Sequence, residues 1–79
     1  MDETEVKRLR WRCRRGVREL DILLTRFLDE RYPLIDTDGR ASFAALLECQ
    51  DPDVMDWLME RRSDYPRDCA AAVRLLLER

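Results

Sequence analysis

Histidine is absent from the 79 residues of this chain. Its absence removes the side chain most often used as a general base, the most common metal ligand and a simple charge switch near neutral pH. The sequence also contains no GxGxxG motif and no phosphate-binding P-loop. We therefore expect no enzymatic activity from this chain alone and no metal site.

Cysteine is scarce, and its three positions are widely separated: Cys13, Cys49 and Cys69. An odd number without a CxxC pair predicts neither a disulfide framework nor a zinc site, but free and mostly buried thiols in a reducing cytoplasm. Long apolar runs are missing too, since none approaches the roughly 18 residues that span a bilayer. The acidic start lacks the basic and apolar parts of a signal peptide, which also favours a cytoplasmic location.

Glycine and proline are rare, with two and three residues respectively, so breaks in regular structure should be few. A composition that is 46% hydrophobic and 41% charged is typical of a small folded protein rather than of a disordered or membrane-spanning chain. We predict an all-α fold, a compact single-domain bundle of five short helices over residues 1–79. So short a chain leaves little room for a deep catalytic cavity.

Apolar residues recur at helical spacing in five segments. The predicted helices are residues 4–14, Glu19–Arg31, Thr37–Glu48, a segment with Pro52 at its first position, and Pro66–Glu78. Their predicted N-caps are Thr4, Asp36, Asp51 and either Ser63 or Asp64. The predicted core stripes contain Val6, Leu9 and Cys13, then Leu20, Leu23, Leu24, Phe27 and Leu28, then Phe43, Leu46 and Leu47, then Val54, Trp57 and Leu58, and finally Cys69, Val73, Leu76 and Leu77.

Charge is unevenly distributed, although the formal net charge is only −2. Residues 7–18, the basic segment, hold seven basic side chains and no acidic one, while the rest of the chain is acidic. This asymmetry favours an anionic partner, either a nucleic acid or an acidic protein surface. A small helical bundle could bind a duplex through the basic segment, but the acidic helices would repel its phosphates. A toxin–antitoxin type of partner has only the composition in its favour.

The densest group of polar residues lies between the first two predicted helices. Gly16 would allow a positive φ there, and Glu19 and Asp21 would lie near the positive end of the second helix. A purely structural interpretation makes Gly16 a helix C-cap and the arginines solvated. Trp11 falls off the core stripe among arginines, so it is either an interface anchor or stacked under an arginine of the same chain.

The basic segment and the residues after it resemble the signature of the succinate dehydrogenase FAD assembly factors. The family's RGxxE motif is present as Arg15, Gly16 and Glu19. The match extends upstream to Arg8, Trp11, Cys13 and Arg14, then to Asp21, and to a second block formed by Leu46, Leu47, Glu48, Cys49, Asp51, Pro52, Asp53, Trp57 and Leu58.

The resemblance implies a five-helix protein that binds the flavoprotein subunit of succinate dehydrogenase, and often that of fumarate reductase. It implies that the chain promotes covalent attachment of FAD to a histidine of that subunit, without binding a cofactor firmly itself. The chain would be a bacterial cytoplasmic protein, monomeric when free. The resemblance assigns partner binding to Arg8, Trp11, Arg14, Arg15, Gly16, Glu19 and Asp21. The alternative is a small nucleic-acid-binding regulator that uses residues 7–18.

Overall fold

A computed structural model describes residues 3–78 of the chain. It has five α-helices and one short 3-10 helix: α1 (Glu3–Arg12), α2 (Arg18–Glu30), the 3-10 helix (Tyr32–Leu34), α3 (Thr37–Leu47), α4 (Asp51–Leu58) and α5 (Arg67–Leu77). Residues 3–78 contain no β-strand. The predicted all-α fold with five helices is confirmed. None of the helices in this range is long and apolar enough to cross a membrane.

The ends of α1 differ from the prediction. Thr4 lies inside the helix rather than at its N-cap. The helix ends at Arg12, and the backbone N–H of Cys13 is shared between the carbonyls of Leu9 and Arg10. This tightening of the last turn brings the Cys13 side chain into the core, where it is fully buried. The predicted glycine C-cap is therefore wrong, because Gly16 comes only after the helix has already ended.

Side-chain caps were predicted correctly at α3 and wrongly at α4 and α5. Asp36 caps α3 by accepting a hydrogen bond from the Gly39 N–H at 2.8 Å. The N-cap of α4 is Gln50, so Asp51 is the first helical residue and its carboxylate is used elsewhere. The N-cap of α5 is Pro66. Neither Ser63 nor Asp64 occupies that position.

One buried cluster joins all five helices, and it contains nearly every residue that the helical spacing predicted. Leu23 and Leu77 are only partly buried, as is Val6. The spacing missed Tyr32, Ser42 and Ala72, which are all buried. Ser42 on α3 accepts a hydrogen bond from the Ala72 N–H of α5 at 3.0 Å, and these small residues let the two helices pack closely. The rings of Phe27 and Phe43 lie 4.8 Å apart at the centre.

Candidate functional site

The loop between α1 and α2, residues 13–17, carries the glycine of the candidate motif. Gly16 has φ +82°, as predicted, which is a backbone conformation that L-residues adopt only with strain. A Cβ at this position would meet no atom within 4 Å. Glycine is therefore needed at position 16 for its backbone conformation, and the space where a side chain would lie is empty of protein atoms.

Arg15 points into the protein instead of out to solvent. Its Nε donates to Asp51 Oδ1 at 2.5 Å, its Nη1 to the carbonyl oxygen of Leu47 at 2.6 Å, and its Nη2 to that of Cys49. The side chain is only 11% exposed. The guanidinium thus satisfies two carbonyls at the end of α3 and neutralises the first residue of α4. The interpretation of Arg15 as a solvated arginine is wrong.

Asp21 holds the same loop from the other side. Its Oδ1 accepts a hydrogen bond from the backbone N–H of Arg15 at 2.7 Å. The loop is therefore fixed through both the backbone and the side chain of Arg15. Of the residues assigned to partner binding, Arg15 and Asp21 are the two whose polar groups are already engaged inside the fold.

Five of the assigned residues remain exposed around this loop: Arg8, Trp11, Arg14, Gly16 and Glu19. The Trp11 side chain is 72% exposed, although the Arg14 guanidinium lies 5.4 Å from its ring centroid. The interpretation of Trp11 as stacked under an arginine of the same chain is confirmed, and the indole still presents a large apolar area; its role as an interface anchor stays a prediction. The Glu19 carboxylate, in the first turn of α2, has no hydrogen-bond or ion-pair partner within residues 3–78.

A shallow cleft of about 200 Å³ lies beside Trp11, lined also by Lys7, Arg10 and Arg14. Arg10 pairs with Asp29 of α2 at 2.6 Å, and the hydrogen bond to that carboxylate raises the pKa of Arg10. Of the seven cations of the basic segment, Arg10, Arg12 and Arg15 are paired with acidic side chains. Within the described residues the other four have no ion-pair partner: Lys7, Arg8, Arg14 and Arg18.

The residues that hold the loop were only partly foreseen. Asp51 and Cys49 belong to the second block of the family resemblance, but no pattern in the sequence linked them to Arg15. The hydrogen bond between Arg15 and Asp51 joins residues 36 positions apart. A single sequence carries no signal for such a pair, because the spacing of apolar residues reports only on neighbours within a helix.

The titratable groups nearest the loop offer little for catalysis. Burial raises the pKa of the Cys13 thiol to about 11, so this sulfur is a poor nucleophile. No group of three or more Cys, Asp or Glu within residues 3–78 is arranged to hold a metal ion. The arrangement is suited to contact with another macromolecule. The loop is fixed, no side chain covers Gly16, the Trp11 indole is exposed, and charges of both signs have no ion-pair partner among the described residues.

The chain matches a protein family described as "Flavinator of succinate dehydrogenase" over residues 7–79. It is 47% identical over 78 residues to the FAD assembly factor SdhE of Pseudomonas aeruginosa, covering 99% of this chain and 93% of that protein. It is 39% identical over 79 residues to the FAD assembly factor SdhE of Pseudomonas putida, covering 100% and 94%. With the factor of the same name from Idiomarina loihiensis the identity is 38% over 73 residues, covering 92% and 81%.

Proposed function

The chain belongs to the family of succinate dehydrogenase flavinators, and from this we propose that it binds the flavoprotein subunit of succinate dehydrogenase and promotes covalent attachment of FAD to that subunit. The family's role is that of an assembly factor for FAD, not of a catalyst. In the proposal the histidine that receives the flavin is the partner's, in keeping with a chain that has no histidine. FAD is held by the partner and is not bound firmly by this chain.

The observation that carries the proposal is the contrast between a fixed loop and the unpaired groups around it. Arg15 and Asp21 hold the backbone at Gly16 in one conformation, so little conformational entropy is lost when a partner contacts the loop. Trp11, Arg14 and Glu19 are exposed beside it. Exposed tryptophan and arginine are the residue types that dominate binding energy at protein interfaces.

In this proposal the residues assigned to partner binding have two different roles. Arg8, Trp11, Arg14, Gly16 and Glu19 contact the partner directly, Gly16 by letting the partner's surface approach the backbone. Arg15 and Asp21 act as positioning residues, because their polar groups are engaged with the loop and with the start of α4.

The proposed mechanism is positioning. The loop and the exposed face of α1 dock on the flavoprotein subunit before it matures and favour the conformation in which flavin and histidine are close enough to react. The assembly factor contributes binding energy and no reacting atom. This agrees with a surface that has unpaired charges and an indole, and with a buried Cys13 thiol whose raised pKa makes it a poor nucleophile.

The test is flavinylation of the purified apo-subunit with FAD, followed by flavin fluorescence of the denatured subunit in a gel. We expect Glu19→Ala to lower the rate about tenfold or more, the scale of an interface hot spot. Helicity and melting temperature should stay close to those of the original protein, because the Glu19 carboxylate has no polar partner within residues 3–78. The matched control is Glu30→Ala, an exposed glutamate at the other end of α2 that forms an ion pair with Arg26. Equal rates for the two variants would contradict the site assignment.

The proposal extends to partner range, assembly and location. We expect the flavoprotein subunit of fumarate reductase to be a second partner, the free chain to be a monomer, and the site of action to be the bacterial cytoplasm. The same assay with the fumarate reductase subunit tests the first expectation, and sedimentation equilibrium tests the second. Sedimentation as a dimer would contradict the expected monomer.

Nucleic-acid binding is the alternative use of residues 7–18. Three of the seven cations in this segment are already paired with Asp29, Glu48 and Asp51, which leaves a weaker field for phosphates than the sequence suggested. A titration with duplex DNA at physiological salt separates the two functions. Micromolar binding with a steep salt dependence would favour the alternative over the proposal.

A further inference from the structure

Two of the three cysteine sulfurs lie next to each other. The Sγ atoms of Cys49 and Cys69 are 3.7 Å apart, although the residues are 20 positions apart in the chain. Cys49 follows the end of α3, and Cys69 lies in the first turn of α5. Cys13 has no sulfur in contact within residues 3–78 and is fully buried.

We propose that Cys49 and Cys69 are a site of reversible oxidation, closing an intramolecular disulfide when the protein meets a peroxide. The Cys49 thiol gives up its proton, and the thiolate attacks one peroxide oxygen. The O–O bond breaks, the leaving hydroxide takes up that proton, and a sulfenic acid and one water form. The Cys69 sulfur then attacks the Cys49 sulfur, the S–O bond breaks, and the leaving hydroxide takes the Cys69 thiol proton to form a second water. In total, two thiols and one hydrogen peroxide give one disulfide and two waters, so the sulfurs are oxidised and the peroxide is reduced.

The surroundings of the two sulfurs determine which thiol reacts first with the peroxide. Cys49 is only partly buried, whereas Cys69 is 2% exposed. Burial, followed by the neighbouring Cys49, raises the pKa of the Cys69 thiol to about 12. The peroxide therefore reacts at Cys49, and Cys69 acts as the resolving thiol from inside the protein.

The disulfide would lie directly behind the loop of the candidate site. The Cys49 carbonyl oxygen accepts a hydrogen bond from Arg15, and its thiol donates to the Ala45 carbonyl at 3.7 Å. A bond to Cys69 would fix the segment after α3 to α5, and with it the acceptor that holds Arg15. Closing a loop of this size also restricts the unfolded chain, which stabilises the fold.

The experiment treats the folded protein with hydrogen peroxide, alkylates the remaining thiols under denaturing conditions and maps tryptic peptides without reduction. We expect residues 41–61 to be linked to residues 68–74, with one alkylated cysteine left per chain, Cys13. Dithiothreitol should restore three alkylatable thiols. The oxidised form should melt roughly 10 °C higher than the reduced one.

Two matched variants complete the test. Cys13→Ala should form the same linked peptides, whereas Cys49→Ala should form none. If the peroxide takes Cys49 to a sulfinic acid while Cys69 stays alkylatable, or if the only disulfides join two chains, the proposal is overturned. Peptide mapping of the unsubstituted protein gives this answer even if a variant fails to fold. The outcome is independent of flavinylation, which this assay does not measure.

Discussion

Within the basic segment, Arg15 differs from its neighbours because its guanidinium is enclosed by the protein. Its three donors meet the carbonyls of Leu47 and Cys49 and the carboxylate of Asp51. Arg12, three residues earlier, also forms an ion pair, with Glu48, but both side chains of that pair are at least half exposed. The same residue type therefore has two roles, structural where it is enclosed and electrostatic where it is exposed.

Replacing Arg15 with methionine should lower the free energy of unfolding by about 2–4 kcal/mol, because a partly buried carboxylate and two carbonyls would lose their donor. Arg12→Met should cost less than about 1 kcal/mol, because it removes only a surface ion pair. Urea denaturation followed by circular dichroism measures both values. Similar losses for the two variants would mean that the enclosed contacts of Arg15 contribute no more than a surface pair.

Glu60 follows the end of α4 and occupies a position where helices usually have glycine. Its φ is +59°, the left-handed region that favours glycine. The Glu60 N–H donates to the Trp57 carbonyl at 3.2 Å, and the Arg61 N–H donates to the Asp56 carbonyl at 2.8 Å. These two bonds form a Schellman motif, which closes the last turn of α4 at the cost of backbone strain at Glu60.

The substitution Glu60→Gly should raise the free energy of unfolding by about 1 kcal/mol, because glycine adopts this conformation without strain. Glu48→Gly, at the C-cap of α3, provides the contrast: its φ is −81°, so glycine relieves no strain there, and the ion pair with Arg12 is lost as well, so this variant should be less stable. Thermal melts of the two variants should shift in opposite directions. A lower melting temperature for Glu60→Gly would show that the glutamate side chain contributes more than the strain costs.

The segment between α4 and α5 is held by Asp64, one of the two residues that were expected to cap α5. Its Oδ1 accepts hydrogen bonds from the Trp57 indole at 3.0 Å and from Arg62 at 3.0 Å. The Trp57 hydrogen bond, and after it the Arg62 hydrogen bond, hold the pKa of Asp64 below its ordinary value of 3.8. A side chain expected to start one helix therefore anchors the end of the preceding one.

The low pKa of Asp64 gives a prediction for acid. The folded pKa is the lower one, so the contribution of Asp64 to stability is present above the unfolded pKa near 3.8 and is lost as the pH falls through the folded pKa. Asp64→Asn should be less stable than the original protein at pH 7, and the gap in melting temperature should narrow below about pH 4. Melting curves across this pH range measure it. A constant gap would show that the ionised carboxylate has no part in the folded state.

At the scale of the whole molecule, the location of the charges matters more than the net charge. The net charge of −2 would give little long-range attraction to a partner. The described residues nevertheless place four cations without an ion-pair partner in α1, the α1–α2 loop and the first turn of α2, namely Lys7, Arg8, Arg14 and Arg18, while acids dominate the rest of the chain. An acidic partner surface would then approach this end of the molecule first.

The association rate with the proposed partner, the flavoprotein subunit, should therefore fall roughly tenfold between low and high salt, with little change in the dissociation rate. Arg14→Gln should slow association, whereas Arg67→Gln, which changes the net charge equally at the start of α5, should not. Stopped-flow binding at several salt concentrations measures both effects. Equal slowing by the two variants would indicate that net charge, and not its location, controls the encounter.

The sequence by itself predicted the five helices, most of the buried core and the family. Apolar spacing placed α2 within one residue at each end and identified the large apolar core residues of α3 and α4, because a helix brings positions three and four apart to one face. The RGxxE motif and the second block, from Leu46 to Leu58, indicated the family through residue types and their spacing alone. The positive φ at Gly16 also followed from its residue type.

Only the tertiary structure determined which polar groups are free to bind. Arg15, Asp51 and Asp64 were assigned to the surface or to helix caps, and each is instead bound to a group that packing brings near it. The proximity of Cys49 and Cys69 has the same origin. The physical reason is the sequence separation of the partners. Helical periodicity predicts contacts between residues up to about four positions apart. These partners are 7 to 36 positions apart and come together only because the helices pack.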